Sequence, residues 1–216
     1  MTGRVAIEHL RRSELIDATI ATIAERGFLR TTVREIARRA SCSPAAVLYY
    51  FPRKDNLLVV AFREADQRFR SRVQAEIALR QGASKLERII ELCFAEGEEE
   101  ALWSIEFEVW AFASRPDDAY FRQIFEIANS DWLDILTEAV GDAVKRGDLA
   151  IADARAWAVK LAALIDGFGV HTHVTKHVDK GTARRMLLAE IDSVRAPARD
   201  EIEKEEEQWA GRMTTV

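Results

Sequence analysis

Only four prolines and ten glycines interrupt this chain of 216 residues, and no stretch alternates apolar with polar residues convincingly. Scarce proline leaves long intervals free to be helical, because a proline inside a helix removes an amide and clashes with the preceding turn. Absence of a period-two pattern argues against a half-buried sheet. Pro44, Pro52, Pro116 and Pro197 all fall where helical periodicity stops. Cysteine is scarce too: Cys42 and Cys93 sit in separate helical patterns, which argues against a disulfide framework and for a reducing compartment. No apolar run approaches the roughly 20 residues of a membrane span, and residues 1–30 lack the uninterrupted apolar core of a signal peptide. There are no internal repeats. The expectation is an all-α protein of the cytoplasm with no membrane part.

What is present is unevenly distributed. The net charge is −5, yet residues 1–54 carry ten Lys and Arg against five Asp and Glu, a balance of +5, which leaves −10 for residues 55–216. Only the N-terminal quarter suits a polyanion. Helical periodicity is expected over 8–26, from Val33 to Ala40, over 44–51 and 54–79, then over 84–96, 99–114, 117–146, 152–177 and 180–195. This divides the chain into a head at 1–54, a helical domain at 55–197 and an acidic tail at 198–216, whose run RDEIEKEEE suits a solvated end.

The head holds the most informative segment, TTVREIARRASCSPAAVLYYFPRK at 31–54. Thr32 and Glu35 have capping-box spacing, and Val33, Ile36, Ala37 and Ala40 then share a face opposite Arg34, Arg38 and Arg39. Ser41, Cys42 and Ser43 break the pattern. Ser43 as N-cap with Pro44 at the first helical position starts a second short helix. Pro44, Ala45 and Ala46 are small enough to approach base edges, and the helix closes with Tyr49, Tyr50 and Phe51 before Pro52, Arg53 and Lys54. Two short helices joined by a turn, the second suited to the major groove, make a helix-turn-helix.

Residues 13 to 58 resemble the DNA-binding domain of the TetR family of bacterial repressors, with Thr32, Ile36, Ala37, Ser43, Tyr50, Phe51, Lys54 and Leu57 matching the family pattern. Ser41 replaces the usual turn glycine, Ala45 a common glycine, and Leu48 a common tyrosine. The resemblance implies a ligand-responsive repressor, binding double-stranded operator DNA through Thr32, Arg34, Ser43, Pro44, Ala45, Ala46, Tyr49, Tyr50 and Lys54. One head reads few base pairs, so a homodimer on a palindrome is expected. Its surface is expected in residues 152–195, with Trp157, Leu161, Leu164, Ile165, Phe168, Leu187 and Ile191 as the apolar contribution. The helix that starts at Lys54 is the expected connector between ligand and head. The C-terminal part, with the run AALIDGFGV at 162–170, is similar to the choline-responsive BetI-type repressors of that family.

Trp103, Phe107, Trp110 and Phe112, joined by Phe121, Phe125 and Trp132, form the densest aromatic group. Core packing explains them as well as a ligand wall does. As a wall, Trp103, Glu106, Phe107, Trp110 and Phe168 bound a small hydrophobic, aromatic or cationic effector; Glu106, Glu108 and Asp131 offer carboxylates that ring faces complement around an organic cation. Two further readings are set aside. His173 and His177 have the spacing of one helix face, but His171 points away and nothing completes a tetrahedral metal set. Ser104, Ser114 and Ser130 have no histidine nearby in sequence. No metal, cofactor or catalytic group is expected; an activator, a non-DNA helical adaptor and a small-molecule enzyme are the alternatives.

Overall fold

The computed structural model describes residues 2–27, 30–115 and 119–197; for 2–10, 98, 99, 101 and 119–121 it describes only helical backbone. The acidic run at 199–207, Pro116 and the Phe121 side chain lie outside the described residues. Within them the fold is all-α: α1 (Thr2–Arg26), α2 (Val33–Arg39), α3 (Pro44–Tyr50), α4 (Lys54–Ala78), α5 (Ala83–Cys93), α6 (Glu98–Ala113), α7 (Ala119–Arg146), α8 (Ala154–His173) and α9 (Lys180–Asp192). A lone antiparallel bridge joins Leu149 to Arg195. No helix among the described residues is long and apolar enough to cross a membrane, and neither cysteine is in a disulfide.

Helix α1 begins before residue 8, and α5 and α8 stop short of their expected ends. In α8 the amides of Val174 and Thr175 both turn back to the Val170 carbonyl, at 2.9 and 3.1 Å. Lys176 then adopts φ +54, a left-handed conformation through which a helix does not continue. His177 is therefore off the helix, and its ring stacks 6.4 Å from that of His171. His173 and His177, four apart in sequence, therefore do not share a helix face, and no cluster of metal-ligating side chains occurs among the described residues.

Three apolar clusters organise the chain. The head cluster joins Leu15, Ile16, Ile36, Ala37, Val47 and Phe51 from α1 to α3 and its edge, and it takes Leu57 and Val60 from the first turns of α4. The largest cluster holds α5, α7, α8 and α9 together. Between them lies a third, in which Ile20 and Ile23 of α1 meet Leu58, Val59, Ala61 and Phe62 of α4, Ile105, Val109 and Phe112 of α6, and Ala128 of α7. Coupling between the two parts is thus not confined to α4, because α6 packs directly on α1.

The expected intersubunit residues are corrected by this packing. Trp157, Leu161, Ile165, Leu187 and Ile191 are at most 8% exposed within a single chain, while Leu164 and Phe168 pack partly buried against the same cluster. One chain suffices to bury the first five because α8 lies along α7 and α9. The outward side of these helices carries Val159 at 47% and Met186 at 53% exposure, with Ala163 and Gly167 also exposed.

Candidate functional site

The head builds its reading surface from local chemistry. The Thr32 hydroxyl accepts from the Glu35 amide at 3.2 Å, and the Glu35 carboxylate accepts from the Thr32 amide at 3.1 Å, completing the capping box. The Thr32 hydroxyl also donates to that carboxylate, and these bonds hold the Glu35 acid below its ordinary range. A DNA phosphate at Thr32 would compete with Glu35 for the same donors. The turn closes with Ser41 at φ +50 and the Cys42 amide on the Ala37 carbonyl at 2.9 Å.

Helix α3 begins with the Ser43 hydroxyl accepting from the Ala46 amide at 3.1 Å, with Pro44 in the first turn. Val47 and Phe51 face the core; Ser43, Pro44 and Ala45 are exposed and Ala46 is half-buried. Tyr49 is 74% exposed and meets Tyr50 edge-on at 5.2 Å. Arg34 is exposed on α2, and Lys54 opens α4. Arg39 is turned toward α1, paired with Glu25 at 2.5 Å, which sets it apart from Arg34. Leu48, 46% exposed on the same helix, is a surface residue absent from the expected set.

The second site lies inside the helical domain. A cavity of about 680 Å³, mouth included, opens between α4, α6, α7 and α8. Trp103, Glu106 and Trp110 of α6 line it, as do Phe69 of α4 and Phe125 and Trp132 of α7. Phe107 and Phe168 do not. Phe107 instead packs on its own helix, stacked on Trp103 at 5.6 Å and edge-on to Trp110 at 5.6 Å. Phe168 belongs to the large cluster. Trp103 is core and wall together: it is 6% exposed, its indole N–H donates to the Cys93 carbonyl at 2.9 Å, and its ring stacks on His173 at 5.5 Å. The indole nitrogen of Trp110 is buried with no hydrogen-bond partner among the described residues.

Of the three expected carboxylates only Glu106 reaches the cavity. Glu108 sits by Gly27 at the foot of α1, and Asp131 pairs with Arg70 on the outer side of α7. Asp66 and Asp166 line the cavity instead. Asp166 had a sequence signal, a lone acid inside the apolar run AALIDGFGV; Asp66 sits among ordinary charged helix residues and had none. All three acids are weakened. Loss of hydration pushes Glu106 up to about 8, with the charges of Asp166 and Asp66 adding to it. Desolvation raises Asp166 to about 6 and Asp66 to about 6 despite its contact with Arg70. Three half-buried acids thus lie among aromatic rings, and one of them, Asp66, is paired with Arg70.

A three-helix reading head on a helical domain with an internal cavity is the build of a helix-turn-helix regulator. The chain belongs to the tetR family of bacterial regulatory proteins: that family's pattern matches residues 15–61, and the pattern of the BetI-type transcriptional repressor C-terminal domain matches residues 82–196, just over half of the chain. Both patterns describe regulators, not enzymes. The chain is similar to the HTH-type transcriptional regulator BetI of Brucella anthropi, 48% identical over 60 residues, 28% of this chain and only 31% of that protein. The similarity to BetI of Cronobacter sakazakii is 28% over 166 residues, 76% of this chain and 80% of that protein. A protein from Saccharomonospora viridis solved in complex with choline superposes with a TM-score of 0.79, at 25% identity, over 88% of this chain and 100% of that one.

Proposed function

We propose that this protein is a dimeric repressor that holds a palindromic operator through two heads and releases it when an organic cation of the choline class enters the cavity. The observation that carries the reading is the group of three acids, Asp66, Glu106 and Asp166, among the cavity's aromatic rings. A neutral aromatic or hydrophobic ligand would leave Glu106 and Asp166 without a counter-charge, whereas ring faces and carboxylates together stabilise an ammonium group. Similarity to the choline complex from Saccharomonospora viridis supports the same class.

In this reading Lys54, Tyr49, Tyr50 and Thr32 hold phosphates, Arg34 and Ser43 lie at the groove edge, and Pro44, Ala45 and Ala46 face bases. Two copies meet through the outward faces of residues 154–192. Helix α6 lines the cavity with Trp103, Glu106 and Trp110 while Ile105, Val109 and Phe112 of the same helix pack in the cluster that holds Ile20 and Ile23 of α1. A ligand that repositions α6 therefore moves the head, provided it binds the released state better than the DNA-bound one.

The test is fluorescence anisotropy on duplexes from upstream of the protein's own gene, with choline, betaine aldehyde and a neutral aromatic of similar size added in turn. A dimer should bind one palindromic segment and leave it on adding choline. Binding indifferent to sequence would overturn the repressor, and release by the neutral compound alone would overturn the cation.

A further inference from the structure

Among the described residues, neither Glu106 nor Asp166 has a basic partner, but Asp66 does. The Arg70 guanidinium, one helical turn along α4, holds the Asp66 carboxylate at 2.6 Å, and its other terminal nitrogen pairs with Asp131 of α7. Its Nε is buried without a hydrogen-bond partner among the described residues. Asp66 lines the cavity, whereas Arg70 and Asp131 also line a separate polar groove on the other side of the α4–α7 seam. That groove adds Gln67, Gln74, Asp134 and Glu138, all of which can accept from a guanidinium.

We infer that Arg70 is the cavity's resident counter-ion, and that a cationic ligand acts by taking Asp66 from it. This rests on the cation reading above. The ligand's charge replaces the guanidinium on Asp66, and Arg70, still held by Asp131, swings into the acidic groove. Two consequences follow from the geometry. Cation affinity is reduced by the pair that must be given up, and a neutral molecule, which offers Asp66 nothing in exchange, leaves the pair and the position of Arg70 unchanged. Arg70 also bridges α4 to α7, immediately beside the Phe69–Trp132 contact at 5.8 Å that joins the same two helices. Release of Asp66 from this bridge therefore alters the packing of α4, the helix that begins at Lys54 beside the recognition helix. Arg70 is in this sense a specificity-determining residue and the point where ligand charge becomes helix movement.

The experiment uses the full chain, with choline and tetramethylammonium followed by tryptophan fluorescence and operator binding followed by anisotropy. Arg70→Gln should bind choline about tenfold more tightly than the wild type, because Asp66 is then uncommitted, while choline should release operator less effectively. Asp131→Asn should do the reverse to ligand affinity, weakening it, since Arg70 then loses the partner that shares it and commits wholly to Asp66. Arg70→Lys keeps the charge without the two-sided fork and should tighten binding by a smaller factor; it also serves if Arg70→Gln does not fold. Choline binding unchanged or weakened in the folded Arg70 variants would overturn the inference while leaving the cation reading intact. A wild type indifferent to both cations would overturn the cation reading, and this inference with it.

Discussion

A Cβ at position 169 would lie 2.3 Å from Cη2 and Cζ3 of Trp103, so α8 and α6 approach closely because residue 169 is glycine. Gly169 thus serves packing within one chain; a Cβ at position 167, two residues earlier, would meet no other part of the described residues within 4 Å. Gly169→Ala should displace the Trp103 ring, which lines the cavity, at a cost of about 1–3 kcal/mol. A thermal melt and tryptophan emission with and without choline check this. An unshifted melt with unaltered emission would show that α8 gives way instead.

The Glu106 acid, raised to about 8 chiefly by burial, makes binding of a permanent cation depend on pH. A cation favours the ionised form, so choline affinity should climb by about tenfold between about pH 6.5 and 8.5 as the proton is released. For folding the sign is opposite. The folded state holds this proton more tightly than the unfolded chain, so the contribution to stability is greatest below the ordinary Glu range and is lost as pH rises toward 8. Calorimetric titration at several pH values in two buffers should show proton release, and Glu106→Gln should flatten the profile. A flat profile in the wild type would mean that Glu106 does not face the ligand.

Ser41 occupies the left-handed region at φ +50, where a side chain costs about 1–2 kcal/mol. Ser41→Gly should therefore stabilise the head by about 1 kcal/mol, read from the urea midpoint of a probe placed on α2, with operator affinity retained. No gain would mean that the serine side chain contributes interactions that offset its strain.

Val159, Ala163 and Met186 face outward on α8 and α9. Ala163→Glu or Met186→Glu should yield a folded monomer on size-exclusion chromatography with light scattering, and operator affinity should collapse. Leu161, fully buried, should behave differently: Leu161→Ala destabilises the chain itself by about 2–5 kcal/mol. Dimers persisting in both glutamate variants would move the interface elsewhere.

The helix-turn-helix was legible in the sequence because its determinants are local. The Thr32–Glu35 box, Ser43 before Pro44, and the stop at Pro52 act through neighbours within one turn, so residue type and spacing suffice. Helical content was legible for the same reason. Which face of a long helix turns to which neighbour is a different matter. Trp157, Leu161 and Ile165 form an apolar stripe that could equally meet a second copy or α7, and only tertiary packing assigned it to its own chain. The cavity's acids show the same limit. Glu106 could be picked out because it shares a helix face with Trp103 and Trp110, whereas Asp66 and Asp131 have no mark in the sequence to separate the one that enters the cavity from the one that does not. Arg70 stands between those two acids, one on its own helix and one on α7. That arrangement depends on how α4 and α7 cross, a contact between residues 61 positions apart, and local chemistry carries no information over such a distance.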